Sequence, residues 1–419
     1  MEDVRRYRVG DVFVPGGRPT ITYNPREDLN LESQVRRYLA DRHTILSVSG
    51  PTKTGKTVLL KSLVPDAIWL SGGGISSADE FWQAVGDLLD LPSVIEDSVD
   101  QSSTTSGGWT AGAGVAGFKG EHQHADETGS TVGRRSTRKR SIKNLVRENI
   151  LDDRRPIVID DFHYIDPGVQ LEITRGLKDL VFDGLAVIVA SVPHRAFDVV
   201  RVEKEMTGRV DQLEVGFWGS DDLRAIATSG FGALRLVDSD GAITNRLIQE
   251  SFESPHLMQL FCREVCYAND VGEVQDQPRT LLPPEWEEFF RARASDTSKS
   301  AFDLLACGPR QRTDRIVRRL TNGQDTDIYG ATLTAIAHTG PLTKLTYEQL
   351  RSALKEVLDS ELPQRHEVTR VLEEMTKIAK ERIDGEPVVD YDAELATLFI
   401  SDPFFAYYLR WGVRPDAST

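Results

Sequence analysis

The chain has 419 residues, 39% hydrophobic and 27% charged, with a net charge of −15. This is the composition of a globular protein of two or three domains, and its acidic balance argues against a general nucleic-acid coat. No apolar run is long enough to span a bilayer, Met1-Glu2-Asp3-Val4-Arg5-Arg6 lacks a secretory core, and three cysteines set out no disulfide framework, so the expectation is a reducing, cytoplasmic setting with no membrane partner.

In chain order, residues 1–27 are polar, with β-like pieces around Val12-Phe13-Val14 and Thr20-Ile21-Thr22-Tyr23. The spacing of Leu31, Val35, Tyr38 and Leu39 predicts a helix over 31–41. Thr44-Ile45-Leu46-Ser47-Val48-Ser49 reads as a buried strand, and 58–63 as a helix. Between them lies Gly50-Pro51-Thr52-Lys53-Thr54-Gly55-Lys56-Thr57, which fits the phosphate-binding pattern G-x-x-x-x-G-K-[ST] in its strand–loop–helix context. The chemistry needs these residue types. Gly50 and Gly55 allow torsions and close approach that a Cβ would block. Successive N–H groups at a helix N-terminus form a concave anion site. Lys56 adds a charge for the β- and γ-phosphates, and the Thr57 hydroxyl is placed for Mg²⁺. In many P-loop ATPases the segment before this first strand grips the adenine, which makes Tyr23, Pro25 and Arg26 candidates.

A second strand is expected at 67–70. Ser77-x-x-Glu80 is a capping-box pattern and starts a helix with Phe81, Trp82, Val85, Leu88 and Leu89 on its apolar face. Residues 93–136 change to Ser, Thr, Gly and charge, and read as an insertion. It is either a mobile loop or a glycine-rich hairpin, with His122 and His124 solvated. A helix around 141–151 leads back to the core.

Arg155-Pro156-Ile157-Val158-Ile159-Asp160-Asp161 is an apolar strand ending in two carboxylates, the Walker B pattern. Asp160 would hold Mg²⁺ directly or through water. Asp161 stands where many ATPases carry a water-polarising glutamate; one methylene shorter, it implies slower hydrolysis. Residues 184–191 read as the next strand, ending in Ser191, a candidate γ-phosphate sensor. A helix over 196–205 and a strand over 212–215 follow. Five strands alternating with helices make an α/β sheet with nucleotide at the strand C-termini.

This order and spacing resemble AAA+ ATPases of the archaeal replication-initiator kind and the neighbouring STAND and archaeal-type ATPases. The resemblance implies an ASCE-type parallel five-stranded P-loop sheet with a helical lid, followed by a winged-helix domain. It implies ATP and Mg²⁺ as ligands. Met206-Thr207-Gly208-Arg209-Val210 resembles the place of an arginine finger, with Arg195 as the second choice. Phe217-Trp218-Gly219-Ser220-Asp221-Asp222 resembles the start of the lid. Ser254-Pro255-His256 lies where the sensor-2 helix begins, with His256 in place of the usual arginine. These departures suit a nucleotide-gated switch better than a ring-driven motor.

Cys262 and Cys266, four apart on this helix, share a face as core or thiol positions. Pro283 and Pro284 mark a boundary, and Trp286, Phe289 and Phe290 are spaced to pack on a neighbouring unit. Helices over 331–338, 346–358 and 364–381, then strands at 388–391 and 397–400, resemble a winged helix. The ending from Ile400 to Trp411 resembles the close of archaeal-type ATPases. The expected division is 1–42, an N-terminal segment; 43–216, the ATPase core; 217–300, the lid; and 301–419, the winged helix.

Two basic clusters are solvated faces or functional surfaces: Arg134, Arg135, Arg138, Lys139, Arg140 and Lys143; then Arg310, Arg312, Arg315, Arg318 and Arg319. From Asp325 onward there are 17 Asp/Glu against 10 Lys/Arg, the wrong sign for a phosphate-reading surface. The expectation is therefore an ATP-binding, slowly hydrolysing switch that forms homo-oligomers or engages a protein effector. The alternatives are an ATP-dependent DNA-binding initiator or transposition regulator, and a regulatory subunit of a prokaryotic defence system.

Overall fold

A computed structural model of the chain describes residues 6–92, 95–98, 137–192, 199, 208–294, 298–309, 315–383 and 387–413. Arg195, most of the helix expected at 196–205, nearly all of the 93–136 insertion with His122 and His124, and Arg134, Arg135, Arg310 and Arg312 lie outside the described residues.

The first half is built around a parallel sheet. A single turn, α1 (Val9–Val12), and the helix α2 (Leu31–Asp41) precede β1 (Ile45–Ser49), α3 (Lys56–Leu63), β2 (Ile68–Ser71) and α4 (Ala78–Leu88). The antiparallel pair β3 (Ile95–Ser98) and β4 (Thr137–Arg140) stands at the foot of the insertion. Then come α5 (Ile142–Asp153), β5 (Ile157–Asp160), α6 (Pro167–Phe182), β6 (Val187–Ser191) and β7 (Val210–Glu214). The strand order is β2-β5-β6-β1-β7, all parallel.

Period-two alternation splits the apolar residues of these strands between two helical layers. Ile45, Ile157, Ile159, Val187 and Val189 face α4, α5 and α6 through Phe81, Trp82, Val146, Ile173 and Leu177. Leu46, Val48, Val158, Ile188 and Leu213 face α2 and α3 through Leu31, Val35, Tyr38, Leu59 and Leu60. The Tyr38 hydroxyl meets both the N–H (2.8 Å) and the carbonyl (2.7 Å) of Val187, which fixes α2 on the sheet.

The second half is helical: α7 (Ser220–Ala233), β8 (Leu236–Val237), α8 (Ala242–Glu250), α9 (Pro255–Ala268), β9 (Arg279–Thr280), α10 (Trp286–Ala294) and α11 (Lys299–Cys307). A short hairpin, β10 (Arg318–Arg319) and β11 (Asp325–Thr326), leads to α12 (Ile328–His338), β12 (Lys344–Thr346), α13 (Tyr347–Val357), α14 (Arg365–Arg382), β13 (Val389–Asp392), β14 (Thr397–Ile400) and α15 (Pro403–Trp411). Helix, strand, helix, helix and two strands, with sheet order β12-β14-β13, is the winged-helix arrangement. Lid and winged helix share one continuous core that includes Phe231, Leu257, Phe261, Phe290, Leu333, Leu372 and Phe405. The Tyr407 hydroxyl donates to the Phe290 carbonyl at 2.6 Å, and fully buried Glu250 accepts from Arg410 and from the Trp411 indole (2.8 Å).

Several expectations need correction. The β-like piece at Val12-Phe13-Val14 begins as the last residue of α1. Val9, Val12 and Phe13 have helical spacing and are buried against the lid, with Phe13 edge-on to Phe231. Thr20 to Tyr23 form a bend and turn rather than a strand, because Thr22 gives its hydroxyl to the Val12 carbonyl. Leu88 is 45% exposed; α4 ends there, before its apolar stripe completes another turn. Only half of the capping box forms as expected: Ser77 accepts from Glu80 N–H, but the Glu80 carboxylate takes Ser76 instead. The strand β12 was not expected; three residues between helices carry too short a pattern to read.

Candidate functional site: a phosphate loop beneath a helical lid

The loop after β1 has the geometry its sequence requires. A Cβ on Gly50 would sit 2.2 Å from the Val215 carbonyl, and Gly55 has φ +95°, so both positions demand glycine. Lys56 is buried and its Nζ donates to the Gly50 (2.7 Å) and Pro51 (2.9 Å) carbonyls. The ammonium is thus held inside its own loop, with carbonyls that an anion would displace. Thr57 Oγ1 donates to Asp160 Oδ2 at 2.8 Å, which brings the two expected Mg²⁺ donors together from β5 and α3. A hydroxyl and a carboxylate are the hard-oxygen donors Mg²⁺ takes beside phosphates, so the residues fit that ion.

Asp161 lines the cavity beside the loop with φ +55°. Burial, and then the neighbouring Asp160, raise its pKa, while Lys56 opposes the shift. A more basic carboxylate is a better proton acceptor for a water. Ser191 is buried at the end of β6, in register with Ser49, and its hydroxyl has no hydrogen-bond partner among the described residues. Its carbonyl accepts from Gly50 N–H, so it abuts the loop.

The cavity measures about 500 Å³ and is lined by Thr52 to Leu59, by Tyr23, Pro25 and Arg26, and by His256 and Gln259 of the lid. Tyr23 donates to Glu32 at 2.9 Å. Burial lowers the pKa of His256 to about 4, with Lys53 pushing the same way and Asp402 opposing, so the ring is neutral at neutral pH. Arg26 has work of its own. Its guanidinium donates to the Gly216 (2.9 Å) and Phe217 (2.7 Å) carbonyls and to Asp222 (3.2 Å), and lies 5.2 Å from the Trp218 ring centre. It joins the segment before α2 to the segment after β7.

Two residues at this site were not singled out as site residues from the sequence. Trp218 donates its indole N–H to the Thr54 carbonyl at 2.9 Å, tying the lid to the loop. Gly72, after β2, packs so closely that a Cβ would stand 2.2 Å from the Asp161 carbonyl. Its place in a Gly-Gly-Gly run was the available signal. Arg209 is exposed and precedes β7 at the N-terminal end of the sheet, whereas the loop leaves the C-terminal end of β1. The chain does not bring Arg209 to its own loop. In the second basic cluster, Arg315 pairs with Asp327 and lies over Tyr329, while Arg318 is buried, donates to the Glu361 carbonyl (2.7 Å) and pairs with Glu367. These two arginines serve the fold rather than a nucleic-acid surface.

The strand order, the loop between β1 and α3, the acidic end of β5 and the helices after β7 make up a P-loop α/β fold with a helical lid. No family model and no curated protein matches the chain. Solved structures similar to it include Cdc6p from Pyrobaculum aerophilum (12% identity, covering 95% of this chain and 96% of that one, TM-score 0.42). Another is the ORC2 protein of Aeropyrum pernix (12% identity, 95% of each chain, TM-score 0.48). A third is a signal transduction ATPase with numerous domains and a tetratricopeptide repeat sensor from Pyrococcus horikoshii (11% identity, 96% of this chain and 44% of that one, TM-score 0.36). Among the described residues no helix is long and apolar enough to cross a membrane.

Proposed function

We propose that the chain is an ATP-binding switch that hydrolyses slowly and couples its nucleotide state to assembly or to a protein partner. The observation that carries this is the Thr57–Asp160 contact of 2.8 Å beside the buried Lys56 ammonium, at a cavity walled by both sheet and lid. Lys56 would exchange the Gly50 and Pro51 carbonyls for β- and γ-phosphate oxygens. Thr57 and Asp160 would hold Mg²⁺, which supplies charge neutralisation on the phosphates. Asp161 would orient the attacking water and take its proton, and Ser191 would offer its hydroxyl near the γ-phosphate. Tyr23 and Pro25 would flank the base. Arg209, or Arg195, would act on the nucleotide of an adjoining subunit in a homo-oligomer.

The test is equilibrium dialysis with ATP and Mg²⁺. Lys56→Ala should weaken binding by about 100-fold, because a charge-assisted set of hydrogen bonds is lost. Unchanged affinity would refute the nucleotide reading. Native mass measurement with and without a non-hydrolysable ATP analogue reads the assembly directly.

A further inference from the structure

The sheet and the lid–wing half have separate hydrophobic cores. Val9, Val12 and Phe13 belong to the lid–wing core, the described core residues between Leu31 and Val215 belong to the sheet, and Trp218 onward returns to the lid–wing core. Among the described residues the chain therefore crosses between the two bodies twice, and Arg26 clasps the two crossings together. Trp218 adds its bond to the Thr54 carbonyl at the second crossing, and a further tie lies away from both crossings. Lys53, in the middle of the phosphate loop, donates to both carboxylate oxygens of Asp402 at 3.0 and 2.9 Å. The same ammonium stands 4.1 Å from the ring centre of Phe404.

This contact is built rather than incidental. Asp402 is the N-cap of α15 and its Oδ1 accepts from Phe404 N–H at 2.8 Å, so the helix fixes where the carboxylate points. Phe404 stands edge-on to His256, ring centres 4.9 Å apart, and both Lys53 and His256 line the cavity. Glu250 holds the other end of α15 through Arg410 and Trp411. Lys53 has φ +59°, so the loop conformation sets the direction in which its side chain leaves.

We infer that Lys53, Asp402 and Phe404 form a latch that closes the lid–wing body over the cavity and sets the rate of nucleotide exchange. The inference rests on the nucleotide-binding reading above. The pair is partly shielded, with side-chain exposures of 33% and 18%, which suits a contact that holds and still opens. Opening the latch lowers the barrier to entry and to exit alike, so it changes rates more than affinity.

The test is stopped-flow fluorescence with an N-methylanthraniloyl ATP and Mg²⁺ on the full chain. Asp402→Asn removes the charge and keeps a good helix cap; Phe404→Leu removes the ring face and keeps apolar volume. Association and dissociation rates should both rise about three- to fivefold, with the equilibrium constant moving less than about twofold. Raising salt should accelerate exchange in the wild type and do so less in Asp402→Asn, because the screened pair is gone. Exchange rates unchanged in both variants, at an unchanged thermal midpoint, would overturn the latch while leaving nucleotide binding intact. A wild-type chain that binds no labelled ATP would overturn both.

Discussion

In the sheet body, β1, β5 and β6 are buried along their whole length, and each is covered by helices that follow or precede it closely in the chain. In the lid–wing body, Phe13 from one end of the chain packs on Phe231, and Tyr407 near the other end bonds to Phe290. Its cohesion depends on ion pairs as well as area, with Glu250 at its centre. The groups expected to act on phosphate stand on the first body. The groups proposed to control access to the cavity, Asp402 and Phe404, stand on the second, and Lys53 reaches them from the loop. Under the proposed reading, the sheet body would carry the chemistry and the separately cored lid–wing body, joined to it by polar ties such as those of Arg26 and Lys53, would carry the response.

The largest expected effect is on the second body alone. Glu250→Ala removes the acceptor for Arg410, Arg246 and the Trp411 indole, and should cost about 3 kcal/mol. Hydrogen exchange should show lost protection in α8, α9 and α15 while β1, β5 and β6 keep theirs. Equal loss in both bodies would break the comparison.

Next comes a pH effect at the boundary. His256 has a folded pKa near 4, below its ordinary 6.5, chiefly through burial. The folded protein therefore binds fewer protons than the unfolded chain between these values. The stability this provides is complete above about pH 6.5 and falls away as pH drops towards 4, by about 3 kcal/mol in all. Denaturant titrations of His256→Gln should show a flatter slope in that window; a slope like that of the wild type would place the acid sensitivity elsewhere.

Arg26→Met should cost about 2 kcal/mol, by stranding the Gly216 and Phe217 carbonyls and Asp222. Its signature is increased exchange around 216–222 with both cores still protected. If either core melts first, Arg26 supports that core rather than the clasp.

The smallest effect on the isolated chain is expected at Arg209. Being exposed, Arg209→Ala should change stability by less than about 0.5 kcal/mol. Its effect should appear between subunits: mixed with Asp161→Asn protein, it should recover part of the turnover that each lacks alone. No recovery in samples shown to co-assemble would remove Arg209 from the site.

Residues Gly50 to Thr57 and Ile157 to Asp161 were readable because their function depends on a short stretch and on the strand that presents it. The α2 boundaries 31–41 were readable too, since one amphipathic stripe defines them. Leu88 was misread because an apolar periodicity does not say where a helix stops. Thr20 to Tyr23 were misread because a hydroxyl bond to Val12, not propensity, shapes them.

The loop of residues 50–57, the acidic strand end and the alternation of strands and helices are all written in neighbouring residues. Only the tertiary structure decided that Arg26 would be a clasp, that Trp218 would hold the Thr54 carbonyl, and that Lys53 would meet Asp402. The physical reason is distance along the chain. Such pairs carry no local period or propensity, and each exists only because two separately packed cores place its halves within hydrogen-bonding reach.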